Sequence, residues 1–296
     1  MKKSSDSIPV YDICSLANTM HLQDDIIAEN FAAYLKRHPD LKFPHRHSFY
    51  HFVYFTKGSG THTIDFERFR VRPGQIYFMV PGQVHTWNFE GVTDGYILNF
   101  SEGIFQSFFR DSNLEKFPFF SGNAVDGVIT LKKSGAVVAS LLDAIIKEAA
   151  GNSIYNKDMI AIDLLSVFIH ISREIVTSNS KPAIRQNQLL LQNFRKLVNE
   201  YYNHKRLPKE YAAMLYITPN HLNALCSDLL GKPAGEVIRD RVLLEAKRLL
   251  INADINISEI AWQLNFKDNS YFTKFFRKYT GITPEDFRRS IISGDL

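Results

Sequence analysis

TPNHLNALCSDLLG (218–231) and DNSYFTKFFRKYTG (268–281) are two versions of one pattern, fifty residues apart. Each opens on a helix-capping residue, Thr218 or Asp268. Each then runs through an apolar-spaced helix and stops at glycine, a residue that accepts the left-handed conformation helices end on. A shorter helical stretch precedes each copy: PKEYAAMLYI (208–217) and SEIAWQLNF (258–266). Short helix, tight turn and capped second helix make a helix-turn-helix, and two in tandem point to a reader of duplex DNA.

The local chemistry agrees. Thr218-Pro219 sets a capping oxygen before a proline at the first helical position, where proline loses no hydrogen bond. Ala212 and Leu215 recur as Ala261 and Leu264. A small residue there lets the two helices cross closely. Leu222, Leu225 and Leu229 recur as Phe272, Phe275 and Tyr279, spaced as a buried stripe.

Residues 257–289, ISEIAWQLNFKDNSYFTKFFRKYTGITPEDFRR, closely resemble the DNA-binding domain of the arabinose-regulator (AraC/XylS) family of transcription factors. The first copy and the stretch VIRDRVLLEAKRLL (237–250) fit the same pattern. The resemblance implies two helix-turn-helix subdomains joined by one long helix. It also implies that both recognition helices enter successive major-groove segments, about 34 Å apart.

Asparagine can pair with adenine N6 and N7, and lysine or arginine with guanine O6 and N7. Asn220, Asn223, Ala224, Asn269, Ser270, Thr273 and Lys274 are the expected base-reading positions. Ser227, Lys267, Arg277 and Lys278 flank them as expected phosphate contacts. Ala224 departs from the family, where a long polar or basic side chain is common; alanine can touch only a thymine methyl.

Charge is divided accordingly. Residues 178–296 hold 18 Lys and Arg against 12 Asp and Glu, while residues 1–177 hold 17 against 19. A basic half beside a mildly acidic one is the electrostatic footprint of duplex binding. The two cysteines, Cys14 and Cys226, give no disulfide framework. No apolar run follows the N-terminal lysines, and MIAIDLLSVFIHI (159–171) is too short to span a bilayer. A cytoplasmic protein without a membrane partner is the expectation. The polar, proline-containing stretch 178–187 reads as a linker between a domain over 1–177 and a DNA-binding domain over 188–296.

The N-terminal half reads differently. FYHFVYFT (49–56), GTHTIDF (60–66), QIYFMV (75–80) and DGYILNF (94–100) are short strands broken by Gly and Pro, as in a barrel or sandwich. HRHSFYHFVYFTKGSG (45–60) and PGQIYFMVPGQVHTWNF (73–89) resemble the two cupin barrel motifs. Regulators of the arabinose family commonly carry such a barrel as their effector domain. The predicted fold class is therefore α+β: a cupin-like barrel with following helices, then an all-α tandem helix-turn-helix domain.

His45, His47 and His51 share strand parity, and His85 falls on a neighbouring strand. With Trp87 they form the expected effector-binding set. Hydrogen bonding to a polar effector, capping of strand ends at the rim and ligation of a divalent metal by all four histidines are open alternatives. Cupin enzymes normally have Glu where His51 stands, so no catalytic residue and no cofactor is assigned. Helices are predicted over 134–150 and 156–177. Ile160, Leu164, Val167 and Ile171 form a seam that either pairs two subunits or packs on the chain's own barrel. The reading is an effector-controlled transcriptional activator, working as a homodimer, with RNA polymerase as a partner implied by the family. The alternative is a metal-dependent cupin enzyme with an accessory DNA-binding domain.

Overall fold

A computed structural model describes residues 9–16, 25–105, 114–176, 182–252 and 255–293. Among these residues two compact units separate, over 9–176 and 182–293. Of the expected linker, residues 178–181 lie outside the described residues, but 182–187 are helical. Pro182 opens that helix, at the one position where proline is tolerated without loss.

The first unit holds strands β1 (Val10–Tyr11), β2 (Ile26–Asn30), β3 (His45–His47), β4 (Tyr50–Ile64), β5 (Glu67–Arg70), β6 (Gln75–Met79), β7 (Val84–Phe100) and β8 (Val128–Thr130). Helices α1 (Ile13–Leu16) and α2 (Phe31–Arg37) lie among the early strands; α3 (Gly135–Ala150) and α4 (Asn156–Val176) follow the last. One sheet runs β1-β3-β7-β4-β6-β8, with β2 also on β7 and β5 on β4. Its spine is the antiparallel pair β4–β7, in register from Tyr50 opposite Phe100 to Ile64 opposite His85.

Two of the expected strands, 49–56 and 60–66, are halves of β4. The register shifts between Phe55 and Ser59 bend the strand without ending it. Gly60 permits this at φ 113, because a Cβ there would lie 2.3 Å from the Asn88 carbonyl oxygen. DGYILNF is likewise the second half of β7.

The bend folds the sheet over an inner core, and alternation sorts the side chains. Val53, Phe55, Ile64, Tyr77, Met79, Trp87 and Ile97 face inward. Phe52, Tyr54, Phe78, Leu98 and Phe100 face outward, against Val138, Leu142, Leu164 and Phe168 of α3 and α4. The seam residues Ile160, Leu164, Val167 and Ile171 are all fully buried in this outer core. They pack on the chain's own barrel, so the seam is not available to a second subunit. The sheet's outer aromatic face already satisfies it.

Glu174, near the end of α4, fastens the start of α3. Its carboxylate accepts from the backbone N–H groups of Lys133 and Ser134, both at 2.9 Å, and also from Lys132 N–H and the Ser134 hydroxyl. Burial alone would raise its pKa, but these donors outweigh it and hold the carboxyl down at about 2. A depressed carboxylate contributes stability above its unfolded value near 4.5, and that contribution is lost as pH falls towards 2. Glu174→Gln is expected to lower Tm at pH 7 and to flatten the wild-type loss of stability across that acid window. Parallel wild-type and variant acid profiles would refute this.

The second unit holds α5 (Pro182–Tyr201), α6 (Pro208–Met214), α7 (Pro219–Leu230), α8 (Ala234–Leu250), α9 (Ile257–Gln263), α10 (Asn269–Thr280) and α11 (Pro284–Ser293). Two small cores lie along α8. Ala234 and Ile238 join Phe194, Tyr211, Leu222 and Cys226 in one, and Ala246 and Leu250 join Ile260, Phe272, Phe276 and Phe287 in the other. The 17-residue α8, about 25 Å long, is the bridging helix.

The repeat extends to backbone detail. Thr218 and Asp268 accept from the N–H groups of His221 and Tyr271. Gly231 and Gly281 close α7 and α10 at φ 70 and 84. In each tight turn one residue takes φ 55, Tyr216 in the first copy and Asn265 in the second. The following N–H then bonds back to Ala212 or Ala261. Asparagine tolerates this conformation; tyrosine does so at a cost. Tyr216 is almost fully exposed, so its ring recovers little. Tyr216→Asn is expected to stabilise this unit by about 0.5–1 kcal/mol. An unchanged or lower Tm would show that the turn is not strained.

One expectation about the stripe is corrected. Leu222, Leu225 and Phe272 are buried as expected, but Cys226 and Phe276 are buried beside them, while Leu229 and Tyr279 are 38% exposed. Phe275 is only half-buried. The seven-residue α6 and α9 end too early to cover the last turn of the twelve-residue helices. Tyr279 lies instead under the Arg239 guanidinium, 4.4 Å from its ring centre.

Candidate DNA interface and barrel site

Helices α7 and α10 present their polar faces outward. Asn220, Ala224 and Ser227 are exposed on α7; Asn269, Ser270, Lys274, Arg277 and Lys278 are exposed on α10, with Lys267 just before it. Thr273 is half-buried, its hydroxyl 3.5 Å from Asn269 Oδ1. Asn223 departs from expectation. It is half-buried, and its Oδ1 accepts the Ala234 N–H at 3.1 Å, capping the start of α8. Its amide oxygen is thus committed to the α7–α8 junction. His221 and Tyr271 are exposed beside the expected sets and were not among them. They occupy the same position in the two copies, a signal the repeat itself carried. All the cationic charge is on the second helix: α7 contains no Lys or Arg, and α10 contains three.

The barrel interior gathers the expected histidines and one more. His45 pairs with His85 across β3 and β7, and His85 lies opposite Ile64 of β4. His47 Nε2 and His85 Nε2 are 2.8 Å apart, and His85 Nδ1 lies 3.0 Å from His62 Nε2. His45 Nδ1 lies 2.7 Å from the Phe43 carbonyl oxygen, and His51 Nδ1 lies 2.6 Å from Asn99 Oδ1. The Asn99 amide donates to the Tyr34 hydroxyl at 3.3 Å. Trp87 packs against four of the rings. All five histidines and Trp87 are buried, so the rings do not cap strand ends in solvent. Burial pushes His45 down to about 4 and His51 to about 3, and His47, His62 and His85 go well below the ordinary value. Five neutral imidazoles therefore share one apolar interior at neutral pH.

A histidine-lined barrel and a two-headed helical reader define a DNA-binding protein with an attached sensor-type domain. A family model described as an AraC-like ligand binding domain matches residues 30–157, and one described as a helix-turn-helix domain matches 211–290. The chain belongs to the AraC-type family of transcriptional regulators, which join these two domains.

The transcriptional regulatory protein YesN of Bacillus subtilis is 36% identical over 32% of this chain, and the regulator YijO of Escherichia coli 31% identical over 40%. Those matches span only 27% and 41% of the two relatives' own lengths. The transcriptional activator RhaR of Yersinia pestis is 21% identical over 91% of this chain and 93% of its own. The similar proteins are transcriptional regulators, and the alternative of a cupin enzyme finds no support among them. No helix among the described residues is long and apolar enough to cross a membrane.

Proposed function

We propose that this chain is a sequence-specific transcriptional activator whose reading of DNA is controlled by a small effector at the barrel. The matched backbone of the two helix-turn-helix copies, down to the paired left-handed turns at Tyr216 and Asn265, carries the reading. Asn220, Ala224, Asn269, Ser270, Thr273 and Lys274 read bases, joined by His221 and Tyr271. Ser227, Lys267, Arg277 and Lys278 hold phosphates. Asn223 acts through the α7–α8 junction, with only its Nδ2 left for DNA. The effector answers to His45, His47, His51, His85 and Trp87, and it acts by favouring one arrangement of the DNA-binding unit over another. The activator role follows RhaR's name and the family; contact with RNA polymerase follows the family resemblance alone.

The protein works in the cytoplasm, where its DNA is, as a homodimer. Since the α4 seam is buried, the partner would meet the opposite face of α4, where Met159, Ile162 and Ile169 are exposed. Selection of genomic fragments by the purified protein, followed by sequencing, tests the central reading. One recurrent site of about two helical turns supports it. Uniform recovery of all sequences, with and without cell extract as an effector source, would reject it.

A further inference from the structure

We infer that the barrel holds a divalent transition-metal ion, bound through Nε2 of His45, His47 and His85, with His51 Nε2 as a fourth ligand. This goes beyond the sensing role above, since it concerns what the imidazoles hold whether or not DNA binding responds.

The hydrogen bonds carry the argument. A carbonyl oxygen can only accept, so His45 Nδ1 must carry the proton it gives to Phe43. His51 Nδ1 likewise donates to Asn99 Oδ1, with the Asn99 amide placed to donate to the Tyr34 hydroxyl. In both rings Nε2 is therefore a bare lone pair. Both Nε2 atoms are buried without a hydrogen-bond partner, an arrangement that costs free energy unless something accepts the lone pairs. His85 completes the pattern when its Nδ1–H is given to His62 Nε2, which frees its own Nε2. A ring fixed by a donated Nδ1–H with its Nε2 turned inward is the arrangement of a metal-ligating histidine.

Distances agree. One ring nitrogen from each of His45, His47 and His85 lies within 4.8 Å of the others. His51 falls outside that set of three, but its ring centre is 5.0 Å from that of His47 and 5.1 Å from that of His85, so it becomes the fourth ligand only by moving inward. With metal–nitrogen bonds of about 2.05 Å, tetrahedral ligands stand about 3.3 Å apart. The His47–His85 pair, at 2.8 Å, need open by only about half an ångström to admit an ion. Imidazole suits zinc, cobalt, nickel, copper and ferrous ions alike. With no acid in the set, the ion keeps its full charge and favours hydroxide or an anionic group at any open position. His62 touches no metal in this scheme; it is a positioning residue for His85.

The test uses the full chain without a histidine tag, stripped by chelator, then exposed to Zn²⁺ or Co²⁺ and desalted. One ion per chain, a raised Tm and a Co²⁺ ligand-field spectrum are expected. His85→Asn should abolish retention, and His62→Asn should weaken affinity about 10- to 100-fold while leaving the fold intact. His170→Gln, outside the barrel, should retain the ion. No retained ion in the wild type, or equal retention by His85→Asn, overturns the proposal. Should a variant fail to fold, ¹⁵N spectra of wild-type histidines decide instead. Zn²⁺-induced shifts at Nε2 of His45, His47 and His85 support the site, and unchanged shifts overturn it. DNA binding enters none of these readouts, so they stand apart from the regulatory reading.

Discussion

Phe276→Ala is expected to melt the second helix-turn-helix while the barrel unit stays folded. Phe276 is fully buried in a core with eight buried members among the described residues, and its ring packs 5.4 Å from Phe287 and 6.0 Å from Phe272. Truncating a buried phenylalanine costs about 3–5 kcal/mol, which rivals the stability a core this small can supply. Amide exchange should show loss of protection over α9 to α11, and binding to a selected site should fall to the non-specific level. The comparison is Tyr279→Ala. Tyr279 is partly exposed, so losing its stacking with Arg239 should cost about 1 kcal/mol and leave the subdomain folded. Reversed effects would restore 272, 275 and 279 as the true stripe.

That contrast shows what a linear pattern can and cannot carry. Caps, terminal glycines and the small crossing residues Ala212 and Ala261 are local chemistry, and the sequence exposes local chemistry directly. Which side of α10 is covered depends on where α9 ends, a matter of three-dimensional reach. The barrel repeats the lesson. Strand parity brought His45, His47 and His51 together, and the second motif supplied His85. His62 was missed because its strand was read as separate from the one carrying His51. They lie on one strand, and the register shifts between Phe55 and Ser59 return His62 to the interior. Asn99 and Tyr34, which fix the His51 ring, lie 48 residues after it and 65 residues before Asn99 respectively, beyond any spacing rule. Pro182 was legible as a break but ambiguous in direction, since proline both ends linkers and begins helices.

Asn269→Ala and Lys274→Ala are expected each to cost about 1–3 kcal/mol at one base position of the selected site, and to cost little elsewhere. Both side chains are exposed on the first two turns of α10, where a recognition helix meets base edges. Lys278→Ala is the comparison. As a phosphate contact it should weaken all sequences alike and reduce the salt slope by about one. A panel of singly mismatched duplexes, titrated at several salt concentrations, separates the two. If Lys274→Ala lowered every affinity equally, it would be a phosphate contact, and base reading by α10 would rest on Asn269 and Ser270. Equal losses for Asn269→Ala would remove the adenine contact altogether. The outcome also bears on α7. Helix α7 has no Lys or Arg, and Asn223 is tied to the α7–α8 junction, so it can add only shape and a few polar contacts. Discrimination should therefore concentrate in the half-site under α10, with mismatches under α7 costing less. A reader with two similar folds but unequal chemistry would tolerate operators that match in one half alone.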